Sequence, residues 1–171
     1  AARRRKAEAD GMPAGLRRTA TIIVPERPVM TQRIDYKTVV PEAYQAMLGV
    51  ERYVQRSGLD HILLELVKTR VSQINRCAHC LDAHTRKARA AGETEQRLHV
   101  LAAWRESTLY TDRERAALAW AEALTQISSQ ETSDQLFAEA RRHFDEKALV
   151  DLTMAVVAIN GWNRLTVSLS H

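Results

Sequence analysis

From Pro41 to the end of the chain, apolar residues recur at three- and four-residue intervals with no further proline, the pattern of consecutive amphipathic helices. Pro41 suits the first turn of a helix running to Ser57 and closed by Gly58, with Tyr44, Met47, Leu48 and Val54 at helical spacing. Asp60 can cap a second helix whose Leu63, Leu66, Val67 and Ile74 form a core-facing stripe. Asn75 and Arg76 break it, and a third helix is expected from Cys77 to near Gly92. Thr94 opens a fourth, with Leu98, Leu101 and Ala102 inward. The run Thr111-Asp112-Arg113-Glu114 is a capping box before an alanine-rich helix, and Thr132-Ser133-Asp134-Gln135 offers a second such box. A last helix from about Asp145 carries Leu149, Leu152, Val156 and Ile159 and continues past Gly161 to Leu169. Apart from a weak run at Thr21–Val24, alternating strand patterns are missing. The expectation is an all-α helical bundle in one domain.

Residues 1–29 differ: they hold three of the four prolines and two of the six glycines, without a sustained period. They read as a flexible extension ahead of a folded domain at 30–171, with Met30 as the expected biological start. The same segment explains the net charge of +4, because it carries seven basic and three acidic residues and leaves 18 of each in the remainder. A body without net charge gives no electrostatic footprint for nucleic acid. The longest apolar run, Met154 to Ile159, is far short of the roughly 18 residues that span a bilayer, so neither nucleic acid nor membrane is expected as a partner.

Chemistry concentrates between Glu65 and His84. The chain's two cysteines, Cys77 and Cys80, form a C-x-x-C pair, with His79 between them, His84 four residues on, and Glu65 on the preceding helix. A disulfide closing so small a loop stabilises by only about 2 kcal/mol. A redox or metal role in a reducing cytoplasm therefore fits the pair better than a structural staple. If a helix begins at Cys77, both thiols lie in its first turn, where unpaired N–H groups and the dipole favour the reactive thiolate. Cys77, Cys80 and His84 then share one face, whereas His79 points elsewhere on an ideal helix. Helix polarity alone favours Cys77 as nucleophile; pairing with His84 favours Cys80. Leu64 and Leu66 allow Glu65 the partial burial that suits a proton donor.

The run LLELVKTRVSQINRCAHCLDAHTRKARAAGETEQRLHVLAAWRES, the later YTDRERAALAWAEALT and the closing INGWNRL resemble the core of the alkylhydroperoxidase D (AhpD) family, within the carboxymuconolactone decarboxylase superfamily. The pattern Glu-x11-Cys-x-His-Cys-x3-His is matched in full, and the likeness spans about Ile34 to Leu169. The resemblance implies an all-helical homo-oligomer that reduces alkyl hydroperoxides or hydrogen peroxide. By the same carry-over, Cys80 attacks the peroxide, Cys77 resolves, and Glu65, His79 and His84 relay protons. No cofactor is expected beyond the redox-active cysteine pair, which needs an external dithiol, such as a lipoyl- or thioredoxin-like protein, as partner.

Two other readings use the same residues. A zinc module would take Cys77, Cys80 and His84, with His61 or His99 as fourth ligand. A carboxymuconolactone decarboxylase-like lyase belongs to the sister branch, whose members generally lack the thiol pair. His61, His99, His143 and His171 show no partner spacing and read as structural. Trp104, Trp120 and Trp162 read as core or interface fillers, and Arg86-Lys87-Arg89 as a solvated face.

Overall fold

The computed structural model describes residues 33–170, which places the expectations for residues 1–29 and for Met30 outside the described region. All secondary structure among the described residues is helical. The order is α1 (Tyr36–Val39), α2 (Pro41–Gln55), α3 (His61–Ile74), α4 (Ala78–Ala90), α5 (Glu95–Val100), a 3₁₀ stretch at Leu101–Glu106, α6 (Asp112–Thr125), α7 (Asp134–His143) and α8 (Glu146–Leu169).

Helix starts follow side-chain capping closely. Asp60 Oδ1 accepts from the Leu63 N–H at 2.8 Å, and Asp145 Oδ1 accepts from Ala148 at 2.7 Å. Thr111 and Glu114 complete the expected capping box. The second box is shifted: Ser133, rather than Thr132, caps α7 by accepting from the Leu136 N–H. Beyond α5 the chain tightens into 3₁₀ geometry, where Ala103 leaves helical angles. This turns Ala102 to solvent and buries Trp104 instead, correcting the expectation that Ala102 points inward. The short α1 was not expected from the pattern.

Helices α3, α6 and α8 share the main core, in which Val67, Val71, Leu152, Val156 and Ile159 interdigitate with Trp120 and Phe144. Each such aliphatic side chain removed from water contributes about 1.5–3 kcal/mol. A second cluster packs Leu66 and Ala88 against Leu101, Trp104 and Leu118, locking α3 and α4 to the following turn. In the third, Val54 and Leu64 meet Ala155 and Ala158, joining α2 to α3 and α8. Helix α3 lies between these clusters and is buried at nine of its positions.

Candidate active site

The link between α3 and α4 sets the geometry of the site. Helix α3 ends in a Schellman motif: the Arg76 N–H donates to Gln73 O at 3.2 Å and the Cys77 N–H to Ser72 O at 3.1 Å. The motif needs a left-handed residue, and Arg76 supplies it with φ = 56° although it is not glycine. The chain thereby reverses at once, and Cys77 becomes the N-cap of α4, its Sγ accepting the Cys80 N–H at 3.4 Å. The expectation of two cysteines in the first turn is thus off by one position. Cys77 precedes the turn and Cys80 is its third residue. Helix α4 ends through a second Schellman turn, here with Gly92 at φ = 104°.

An amide ladder pins this turn to α8. Asn75 Nδ2 donates to Asn160 Oδ1 and Asn163 Oδ1, both at 2.9 Å, and Asn163 Nδ2 donates to Ser72 Oγ at 3.2 Å. The asparagines of the INGWN run therefore hold the segment just ahead of Cys77.

Cys77 and Cys80 are joined as a disulfide, with Cα atoms 5.4 Å apart. Their surroundings differ. Cys77 is 0% exposed inside the main core, whereas Cys80, at 5%, reaches a cleft of about 380 Å³. Successive turns of α2 (Tyr44, Leu48, Glu51) and of α4 (Cys80, His84, Lys87) form facing walls, with Tyr36 and Lys37 of α1 and Trp162 of α8 closing the ends. Tyr44 and Leu48 are half-buried and line the cleft, and Trp162 packs against the main core, as expected, while also lining the cleft.

His84 Nδ1 lies 2.7 Å from Glu65 Oε2, and both side chains are buried. The carboxylate fixes the ring so that its other nitrogen is available toward the cleft that His84 shares with Cys80. His61 Nε2 stands 3.9 Å from Glu65 Oε1, one turn away on α3, correcting the expectation that His61 has no partner. His99 and His143 likewise have i,i+4 partners, Glu95 at 3.7 Å and Glu139 at 3.3 Å. His79, expected to point away from the other groups, is exposed and lines the same cleft, because residues at a helix end are not screened by a preceding turn.

Glu51 and Lys68 were not singled out in the sequence. Lys68, 2% exposed on α3, donates to Glu51 Oε1 at 2.6 Å, and Glu51 faces the cleft. Burial pushes the Glu51 carboxyl upward, but the Lys68 charge, with hydrogen bonds from Lys68 and Gln55, outweighs it and holds the pKa below the usual range. Lys68 follows Glu65 by three residues on a buried helix, a spacing that could have signalled a polar stripe. Its partner lies on another helix, which no local spacing reveals.

Of the ligands a zinc module would take, Cys77 and Cys80 are here bonded to each other and His84 is paired with Glu65. Among the described residues no group of three or more His, Cys, Asp or Glu is placed to hold a metal. No helix among them is long and apolar enough to cross a membrane.

Comparison with known proteins places the chain in a family. The profile of the carboxymuconolactone decarboxylase family matches residues 40–123. The uncharacterized protein YdfG of Bacillus subtilis is 42% identical over 142 residues, covering 83% of this chain and 97% of YdfG. The chain belongs to the carboxymuconolactone decarboxylase family. Its core is AhpD-like: a protein of unknown function from Agrobacterium tumefaciens, named as a candidate antioxidant defence protein AhpD, superposes with a TM-score of 0.79 at 42% identity. That match covers 81% of this chain and 95% of the other. An uncharacterized peroxidase-related protein from Silicibacter sp. TM1040 superposes at 0.67 with 25% identity, covering 75% of this chain and 69% of that one. Family and fold place the chain among enzymes of the AhpD and carboxymuconolactone decarboxylase type.

Proposed function

We propose that the protein is a thiol peroxidase that reduces organic hydroperoxides or hydrogen peroxide through Cys77 and Cys80. The observation that carries this reading is the asymmetry of the pair: one sulfur opens onto a cleft beside a Glu–His couple, while the other is sealed behind it. Helix polarity favours the Cys77 sulfur as anion, since it accepts a backbone N–H. Accessibility favours Cys80, because the peroxide must meet the sulfur. Access decides, since a thiolate that substrate cannot reach does not react.

In the cycle, the Cys80 thiolate attacks the terminal oxygen of ROOH, an S–O bond forms, the O–O bond breaks, and RO⁻ takes a proton to leave as ROH. His84, oriented by Glu65, is placed to receive the Cys80 proton beforehand and return it to the leaving oxygen, with exposed His79 at the mouth passing protons to solvent. The Cys77 sulfur then attacks the sulfenic sulfur, water departs, and the disulfide forms. An external dithiol, of lipoyl or thioredoxin type in a reducing cytoplasm, supplies two electrons and two protons by exchange. The net reaction is ROOH plus dithiol giving ROH, water and disulfide. We also propose that the protein is a homo-oligomer, supported by the exposed apolar side chains Ile127 after α6, Phe137 of α7, and Val150 and Val157 of α8. Light scattering tests that: a monomer at micromolar concentration contradicts it.

The test of function is consumption of cumene hydroperoxide with excess dithiothreitol. Wild-type protein is expected to turn over repeatedly and Cys80→Ser not at all; equal rates for the two proteins would refute the assignment.

A further inference from the structure

The cleft at Cys80 is chemically lopsided. The whole chain has nine aromatic residues, and three of them, Tyr36, Tyr44 and Trp162, line this one cleft. Their rings form a continuous wall, with centroids 6.2 Å apart for Tyr36–Tyr44 and 5.8 Å for Tyr44–Trp162. Two lysines stand at its rim. Lys37 Nζ lies 5.6 Å from the Tyr44 ring centroid, and Lys87 follows Cys80 by two turns on the α4 stripe that forms the opposite wall.

The charges in the cleft do not cancel. Glu51 is matched by buried Lys68 and Glu65 by His84, both within hydrogen-bonding distance. Among the described residues, neither Lys37 nor Lys87 has a carboxylate within 4.0 Å; Lys87 attracts Glu51 only at longer range, and Glu51 is already hydrogen-bonded to Lys68, so both ammonium groups remain open to an anion beside the aromatic wall. Two helical turns place the Lys87 backbone roughly 10 Å from Cys80, and lysine side chains lean toward the helix N-terminus, shortening that gap.

We infer that this cleft selects hydroperoxides in which an aromatic or alkyl body joins the peroxide group to a carboxylate, the body lying on Tyr44 and Trp162 and the carboxylate between Lys37 and Lys87. The inference rests on the peroxidase reading and names its substrate class. Reaction at Cys80 is unchanged; the lysines act only on binding and orientation.

The test compares cumene hydroperoxide with its para-carboxylate, which differ only by that charged group, with saturating dithiothreitol as the reductant so that no protein partner is involved. The carboxylate should show kcat/KM about tenfold higher at low ionic strength, as expected of charge-assisted contacts at a partly exposed site. The ratio should fall toward one at 0.5 M salt and in K37Q/K87Q. Using a ratio within each protein cancels differences in folding or intrinsic reactivity. A wild-type ratio near one, or a ratio retained in K37Q/K87Q, overturns the inference. If neither hydroperoxide is consumed, the peroxidase reading fails. Binding of the redox-inert pair 4-isopropylbenzoate and cumene, followed by Trp fluorescence, then still decides the selectivity of the cleft: tighter binding of the carboxylate supports it and equal binding overturns it.

Discussion

Two buried glutamates, Glu65 on α3 and Glu122 on α6, are nearly alike in exposure and opposite in surroundings. Glu122 accepts from Arg70 Nε at 2.6 Å, from Trp104 Nε1 at 2.9 Å and from Arg105 Nη1. Burial pushes its pKa up, but the hydrogen bonds from Trp104, Arg105 and Arg70 and the Arg70 charge prevail and hold it below the usual carboxylate range. None of these donors gives up its proton near neutral pH, so Glu122 is fixed as an anion that ties α3, α6 and the 3₁₀ stretch together. Glu65 instead meets two imidazoles, His84 at 2.7 Å and His61 at 3.9 Å. An imidazole ring carries nitrogens that can both accept and give up a proton, which is the capacity the proposed cycle uses. The identity of the partners, rather than burial, separates the two carboxylates.

The largest effects should fall on the sulfurs that the second carboxylate serves. Cys80→Ser should lower peroxide consumption by more than about 10³-fold, whereas Cys77→Ser should support one turnover that ends in a dimedone-reactive sulfenic acid. Sustained turnover by Cys77→Ser would remove its role as resolving thiol. Next come the glutamates themselves, which should dissociate activity from stability. Glu65→Gln should reduce kcat/KM about 10²-fold, the usual scale for a lost acid–base group, with little change in the urea midpoint. Glu122→Ala should cost about 3 kcal/mol in chemical unfolding, because it leaves two arginines and a tryptophan without their acceptor, and should not alter turnover per folded molecule. If the two substitutions had the same effects, the contrast would be lost.

Lowering the pH sharpens the comparison further. Glu122, Glu51 and Asp151 all have folded-state pKa values below normal; for Asp151, hydrogen bonds from Lys147 and Tyr53 overcome the upward push of burial. A depressed carboxylate contributes stability above its unfolded pKa, about 4, and that contribution is lost as pH falls through the lower folded value. Urea midpoints should therefore hold from pH 7 to about 5 and drop toward pH 3, less steeply in Glu122→Gln; a parallel drop would discount Glu122. At the alkaline end, burial raises the Tyr110 pKa to about 12, so its share of stability is present below the ordinary value near 10 and lost as pH climbs toward 12. The smallest effect concerns the turn ahead of Cys77. Arg76→Gly should raise stability by at most about 1 kcal/mol, by relieving a left-handed non-glycine residue at the cost of a more flexible unfolded chain. A marked loss of stability would mean that the Arg76 side chain matters more than its backbone.

What was legible in the sequence was whatever depends on neighbours along the chain. Capping residues Asp60, Thr111 and Asp145 start helices where their spacing indicates, and the Glu-Cys-His-Cys-His run places its members near one another because α3 and α4 are joined by a turn of only three residues, 75–77. Relations between distant helices were not legible. The Lys68–Glu51 pair spans α3 and α2, the asparagine ladder spans α3 and α8, and the aromatic wall draws on α1, α2 and α8. His61 stands between these cases: its i,i+4 relation to Glu65 is visible in the sequence, but only the burial of Glu65 gives it meaning. Ala102 and Thr132 were misplaced because a 3₁₀ turn and a one-residue shift of the cap are decided by packing and by choice among adjacent hydroxyls, not by periodicity.

The central claim is that the Cys77–Cys80 pair carries the electrons to the peroxide, and a stoichiometric titration tests it most directly. Fully reduced protein, freed of reductant and mixed with increasing cumene hydroperoxide, should lose both of its thiols per molecule of hydroperoxide consumed. One cumyl alcohol should be released, and peptide mapping should find the Cys77–Cys80 bond. Thiols that persist while hydroperoxide stays unconsumed would contradict the account.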